Sequence, residues 1–126
     1  MAIDLKKLSR RNPRDLSQSK WYLIPVASGT VTLKELAREI EKRSAMTYAD
    51  VSSVLISLTE LLARNVKAGR IVRLGEFGSF RVSVSSEGEE TPEALTARHV
   101  KGARILFMPS ADLKAELRTA SYTIAS

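Results

Sequence analysis

The stretch VKAGRIVRLGEFGSFRV, residues 66–82, changes its hydrophobic period in mid-course, and that change decides the fold. Up to Val66 the apolar residues recur at helical spacing, and after Gly69 they alternate. Gly69 reads as the left-handed residue that closes a helix. Arg70 to Leu74 then reads as a short strand and Gly75-Glu76-Phe77-Gly78 as a turn. Ser79 to Ser86 is a second strand, in which Phe80, Val82 and Val84 alternate with Arg81, Ser83 and Ser85, so one face is apolar and the other meets water.

Upstream lie two helices. Thr32-Leu33-Lys34-Glu35 is a capping-box pattern, and Leu33, Leu36, Ala37 and Ile40 form one apolar stripe, predicting a helix to about Ser44. Thr47 and Asp50 flank the next start. Val51, Val54, Leu55, Leu58, Leu61, Leu62 and Val66 make a stripe broader than the first helix can cover, so the excess is expected to be buried against another chain. Downstream, the acidic run Glu87 to Glu93 reads as a mobile hairpin tip or long loop, Arg98 to Met108 as a returning strand, and Ser110 as the cap of a last helix ending near Thr119. Trp21 to Val26 reads as a short strand that Pro25 confines to an edge or an end. Tyr122-Thr123-Ile124 also has strand character, and the two are predicted to pair. Lys6 to Ser19 has little periodicity and reads as a mobile arm or irregular linker.

The 126 residues fit one domain with a single modest core. Twenty Lys and Arg against 14 Asp and Glu leave a net charge of +6, which favours polyanionic partners. Four of those six net charges fall in residues 1–20, where Lys6, Lys7, Arg10, Arg11, Arg14 and Lys20 face only Asp4 and Asp15. With no cysteine and a single histidine, His99, neither a disulfide framework nor a thiolate or histidine metal site is expected. No apolar run approaches the length of a membrane span, so the expectation is a soluble cytoplasmic protein with no membrane, cofactor or small-molecule substrate.

The order of elements, and the glycine followed by a strand and a Gly-Phe-Gly-x-Phe-like turn, resemble the bacterial HU and integration-host-factor family of histone-like proteins. The resemblance runs from Thr30 to about Thr119 and includes Phe107, Pro109 and Leu113. It implies an α+β fold: two N-terminal helices, a three-stranded antiparallel sheet with a hairpin arm, and a short C-terminal helix, in an intertwined dimer. Residues 1–29 would be a basic extension with a short strand, and 30–126 the HU-like domain. Phe77, Phe80 and Phe107 are expected in the core, with Gly78 allowing Phe77 and Phe80 to turn inward.

The family's mechanism implies architectural, sequence-tolerant binding and bending of double-stranded DNA in the nucleoid by a homodimer or close heterodimer, without catalysis. Arg73 and Arg81 are then candidates for the DNA-facing floor, Arg98, Lys101 and Arg104 for the returning strand, and Lys114 and Arg118 for flanking phosphates. The arm departs from the family pattern. Ser83 and Ser85 stand where family members place arginines, and Glu87, Glu89, Glu90 and Glu93 would repel phosphate. Pro92 near the tip is a candidate wedge between base pairs, although no Arg-Asn-Pro run precedes it. The second hypothesis is therefore a protein-interaction or scaffold module on the same fold with reduced DNA affinity. An enzyme is a distant third, because those carboxylates have no accompanying nucleophile or phosphate-binding loop.

Overall fold

A computed structural model describes residues 1–125. They divide into two compact units, Leu33–Ala115 and Met1–Thr32 together with the segment from Glu116.

The first unit opens with α1 (Leu33–Arg43) and α2 (Tyr48–Lys67). Thr47 caps α2 by accepting from the Asp50 amide at 3.2 Å. Two side chains of α1 tie the corner: Glu41 accepts from the Tyr48 amide at 3.1 Å, and the Arg38 guanidinium lies 4.5 Å from the centre of the Tyr48 ring. At the other end of α2, Gly69 has φ +83°, the left-handed closure expected there. Strands β3 (Val72–Leu74), β4 (Gly78–Ser86) and β5 (Val100–Pro109) then form an antiparallel sheet in the order β3-β4-β5, and α2 packs against β3 and β4. Gly75 turns the chain from β3 to β4 at φ +47°.

At Gly78 the constraint is closeness to β5. A Cβ there would lie 2.5 Å from the Met108 carbonyl oxygen and 2.6 Å from Phe107 Cε1. Phe107 in turn sits between Phe77 and Phe80, at ring-centre distances of 5.3 and 4.9 Å. The expected aromatic cluster exists, but in the single chain it is not sealed. Phe77 and Phe107 stay exposed, and the buried hydrophobic residues are Ala37, Val51 and Val66 alone among those described.

Helix α3 (Ala111–Arg118) starts at Ser110, whose Oγ accepts from the Leu113 amide at 3.0 Å and donates to the Glu76 carbonyl. One hydroxyl thus caps a helix and holds the β3–β4 turn. Ser110→Ala is expected to lower stability by about 1–2 kcal/mol, a fall in Tm of ~5–10 °C by thermal denaturation.

The second unit corrects the reading of the N-terminus. Lys6 to Ser19 is not an irregular linker. It belongs to a hairpin of β1 (Ala2–Asn12) and β2 (Asp15–Val26). Its turn uses local side-chain bonds: Asn12 Oδ1 accepts from the Arg14 amide at 2.9 Å, and Asp15 Oδ1 from the Ser17 amide at 3.1 Å. Cross-strand pairing overrides the weak strand propensity of the Lys and Arg residues. β6 (Ser121–Ile124) joins this sheet, but the expected pairing of Trp21–Val26 with Tyr122–Ile124 is overturned. The order is β2-β1-β6, with β6 parallel to β1, because the tight turn gives β2 its antiparallel partner and leaves β6 the free side of β1. Pro25 does lie on an edge strand, as its missing N–H requires.

Candidate nucleic-acid interface

Residues paired across strands share a face of the sheet, so the register of β3-β4-β5 sorts the candidates. Arg73 lies opposite Ser79, which faces Met108 on the other side; Arg81 lies opposite Leu106, and Ser83 opposite Arg104. Arg73, Arg81 and Arg104 therefore occupy one face, interspersed with Ser79, Ser83 and Ser85. The other face carries Val72, Leu74, Phe80, Val82, Val84, Ile105 and Phe107, with Lys101 at the far end of β5 as the charged residue of that parity.

The arginine-bearing strands contribute no carboxylate to their face, and among the described residues no ion pair engages these three guanidinium groups. A shallow depression of about 380 Å³ opens at the β3–β4 end, where Arg73, Ser79, Arg81 and Ser110 line it and Glu76 of the turn borders it. Arg81 is half-buried, and its Nε–H is shielded from solvent with no acceptor. A buried charged donor without a partner is costly.

The other candidates are placed elsewhere. Lys101 falls at the irregularity where the register shifts between Ser85 and Ser86, and by strand alternation it has the parity of Ala103 and Ile105 rather than of Arg104. Arg98 precedes the strand in the 3-10 turn Ala97–His99. Lys114 and Arg118 are exposed on α3, four residues apart and so on one side of that helix. Sequence reasoning missed Leu106 and Met108, which share the arginine face. Ile105-Leu106-Phe107-Met108 has no alternation that would separate two faces.

The acidic arm is more organised than a featureless loop. It forms two short 3-10 turns, Pro92–Ala94 and Ala97–His99, with Pro92 opening the first, where its lack of an N–H costs nothing. The Thr96 amide donates to His99 Nδ1 at 3.1 Å, which leaves the proton on Nε2 to face Glu89 Oε1 at 2.9 Å. His99 thus binds one of the four arm glutamates, and the Glu87 amide donates to the His99 carbonyl at 2.9 Å.

Two helices, the second packed on a three-stranded antiparallel sheet with three arginines on one face, define an α+β domain. The chain belongs to the family described as "HU domain fused to wHTH, Ig, or Glycine-rich motif", whose profile matches residues 1–123. Its structure is similar to that of a putative bacterial DNA-binding protein from Bacteroides vulgatus, with TM-score 0.66 and 10% identity over 97% of this chain and 48% of that one. This chain therefore spans about half the length of that protein. It is also similar to Anabaena HU in a cocrystal with DNA, with TM-score 0.51 and 19% identity over 71% of this chain and 98% of that one. No curated relative matches the sequence. No helix among the described residues is long and apolar enough to cross a membrane.

Proposed function

We propose that this chain binds double-stranded DNA without strong sequence preference, as an architectural dimer that bends or coats the duplex in the nucleoid, and that its role is binding rather than catalysis. The observation that carries this reading is the shared face of Arg73, Arg81 and Arg104, which is free of strand carboxylates and dotted with small serines that let a phosphate backbone approach. Lys114 and Arg118 would reach flanking phosphates, with Arg98 and Lys101 at the base of the arm. A second copy of the chain would cover the apolar stripe of α2 and the open aromatic cluster, setting two cationic faces side by side. The family and the HU–DNA neighbour support the partner class.

Binding of a short labelled duplex, followed by anisotropy at about 50 and about 200 mM salt, tests the proposal. Affinity should fall steeply as salt rises. Arg73→Ala/Arg104→Ala should weaken binding about tenfold or more and make the log-log salt slope shallower by about two per chain. Unchanged affinity and slope in that variant would remove the sheet face from the mechanism.

A second reading is favoured by one observation. Glu87, Glu89, Glu90 and Glu93 occupy the arm, where HU-type binding calls for cations, and Ser83 and Ser85 lead into it. A scaffold module with reduced DNA affinity follows from that charge. No binding of the native chain at low salt would decide for it.

A further inference from the structure

β6 pairs only with residues 2–5 of β1, so beyond that point β1 and β2 run on as a two-stranded ribbon from Lys6 to the turn at Asn12–Asp15 and back. Seven strand residues make it about 24 Å long. All six cations of residues 1–20 lie on this ribbon or its turn, and Asp15 is the only carboxylate there. Asp15 stays ionised at the turn, so the ribbon and its turn carry a net charge of +5. Ser17 Oγ donates to its Oδ1 at 2.6 Å and the Ser17 amide at 3.1 Å, which holds the carboxyl below its usual range.

The register holds the sharper observation. Arg10 lies directly opposite Lys20, and by alternation Lys6 is on the same face. Like charges directly opposite each other destabilise a hairpin. Nothing in the ribbon offsets this pair with an opposite charge; Arg10 instead lies 5.9 Å from the centre of the exposed Tyr22 ring. Arg10, Arg11, Asn12, Gln18 and Lys20 line an open concavity of about 570 Å³ with Tyr22 at its edge. Cations, amide side chains and a ring edge around one concavity suit a sugar-phosphate backbone.

We propose that the β1–β2 ribbon is a second DNA-binding surface, gripping the phosphates of a duplex through Arg10 and Lys20 independently of the β3-β4-β5 face. This rests on reading the chain as a DNA-binding protein, but not on the arginine face. A duplex suits the geometry because a two-stranded β-ribbon fits the major groove, about 12 Å wide. A membrane surface suits it less, because the turn residues Asn12, Pro13, Arg14 and Asp15 include no large apolar side chain to insert, and Leu16 alone stands near them.

The test is Arg10→Thr/Lys20→Thr in the full chain. Threonine suits a strand and removes the repulsion, so Tm should hold or rise, which separates lost binding from lost folding. Duplex affinity should fall about tenfold or more, with a salt slope shallower by about two per chain. Native affinity and slope in this variant would overturn the inference, and loss in Arg73→Ala/Arg104→Ala alone would do so while leaving the proposed function standing. Loss in the ribbon variant alone would instead sink the sheet-face mechanism and leave this inference intact. Vesicles containing phosphatidylserine form a further arm. If the native chain sediments with them, and the ribbon variant loses that but keeps its duplex binding, the surface belongs to lipid and the inference fails.

Discussion

Gly78→Ala is expected to lose about 2–4 kcal/mol of stability, a drop in Tm of ~10–25 °C, or to yield no folded protein. The added methyl would stand 2.5 Å from the Met108 carbonyl oxygen and 2.6 Å from the Phe107 ring. Neither obstacle is the free end of a flexible side chain. The carbonyl belongs to β5, whose pairing with β4 runs through Gly78↔Pro109 and Ser79↔Met108. Phe107 is held between Phe77 and Phe80. Relief therefore requires β5 to move away from β4, which would disturb the sheet that carries Arg81 and Arg104. Gly88→Ala is the matched control, because a Cβ there meets nothing within 4 Å. Calorimetric melts of the two variants check the prediction, and equal melting points would show that β5 yields at little cost.

What could be read in the sequence follows the range of the forces involved. Thr47, Gly69 and Ser110 announce helix ends through bonds to residues a few positions away, and each occupies its expected place. The alternation of Phe80, Val82 and Val84 with Arg81, Ser83 and Ser85 likewise fixes which face of β4 is cationic. The ribbon was illegible for the opposite reason. Lys6, Lys7, Arg10 and Arg11 are poor strand formers, and their extended conformation comes from β2, not from themselves. Asn12-Pro13 was the one local signal, a turn dipeptide that marks where the chain doubles back. The partner of β6 was a matter of competition: Tyr122–Ile124 and Trp21–Val26 were both recognisable strands, but β1 between them was not. At the interface, Arg73, Arg81 and Arg104 come together because their register obeys alternation, whereas Lys101 sits where the register breaks, which no periodicity discloses.

Leu61→Asp is expected to abolish dimerisation and, with it, most DNA binding. Along α2, Val51 and Val66 are buried, while Val54, Leu58 and Leu61 follow one another at helical spacing, 57%, 40% and 53% exposed. If a second copy covers this stripe, two-fold symmetry places the substitution twice in each dimer. Each Leu removed from an apolar interface costs about 2–3 kcal/mol, and an unpaired carboxylate left there costs more. The total of at least ~5 kcal/mol raises the dimer dissociation constant by more than ~10³-fold. Sedimentation equilibrium across a concentration series reads this directly, with Leu61→Met, close to it in volume, as the conservative control. The native mass retained in Leu61→Asp would show that this stripe is not where two copies meet. The same substitution should change how the chain melts. A unit whose buried apolar side chains, among the described residues, are Ala37, Val51 and Val66 has little core of its own, so folding and association should be one process. The native melting point should then rise with protein concentration, and that of Leu61→Asp should lie low and lose the dependence. DNA affinity should fall in parallel even though Arg73, Arg81 and Arg104 are untouched, because a single chain offers half the cations that two paired faces present to one duplex.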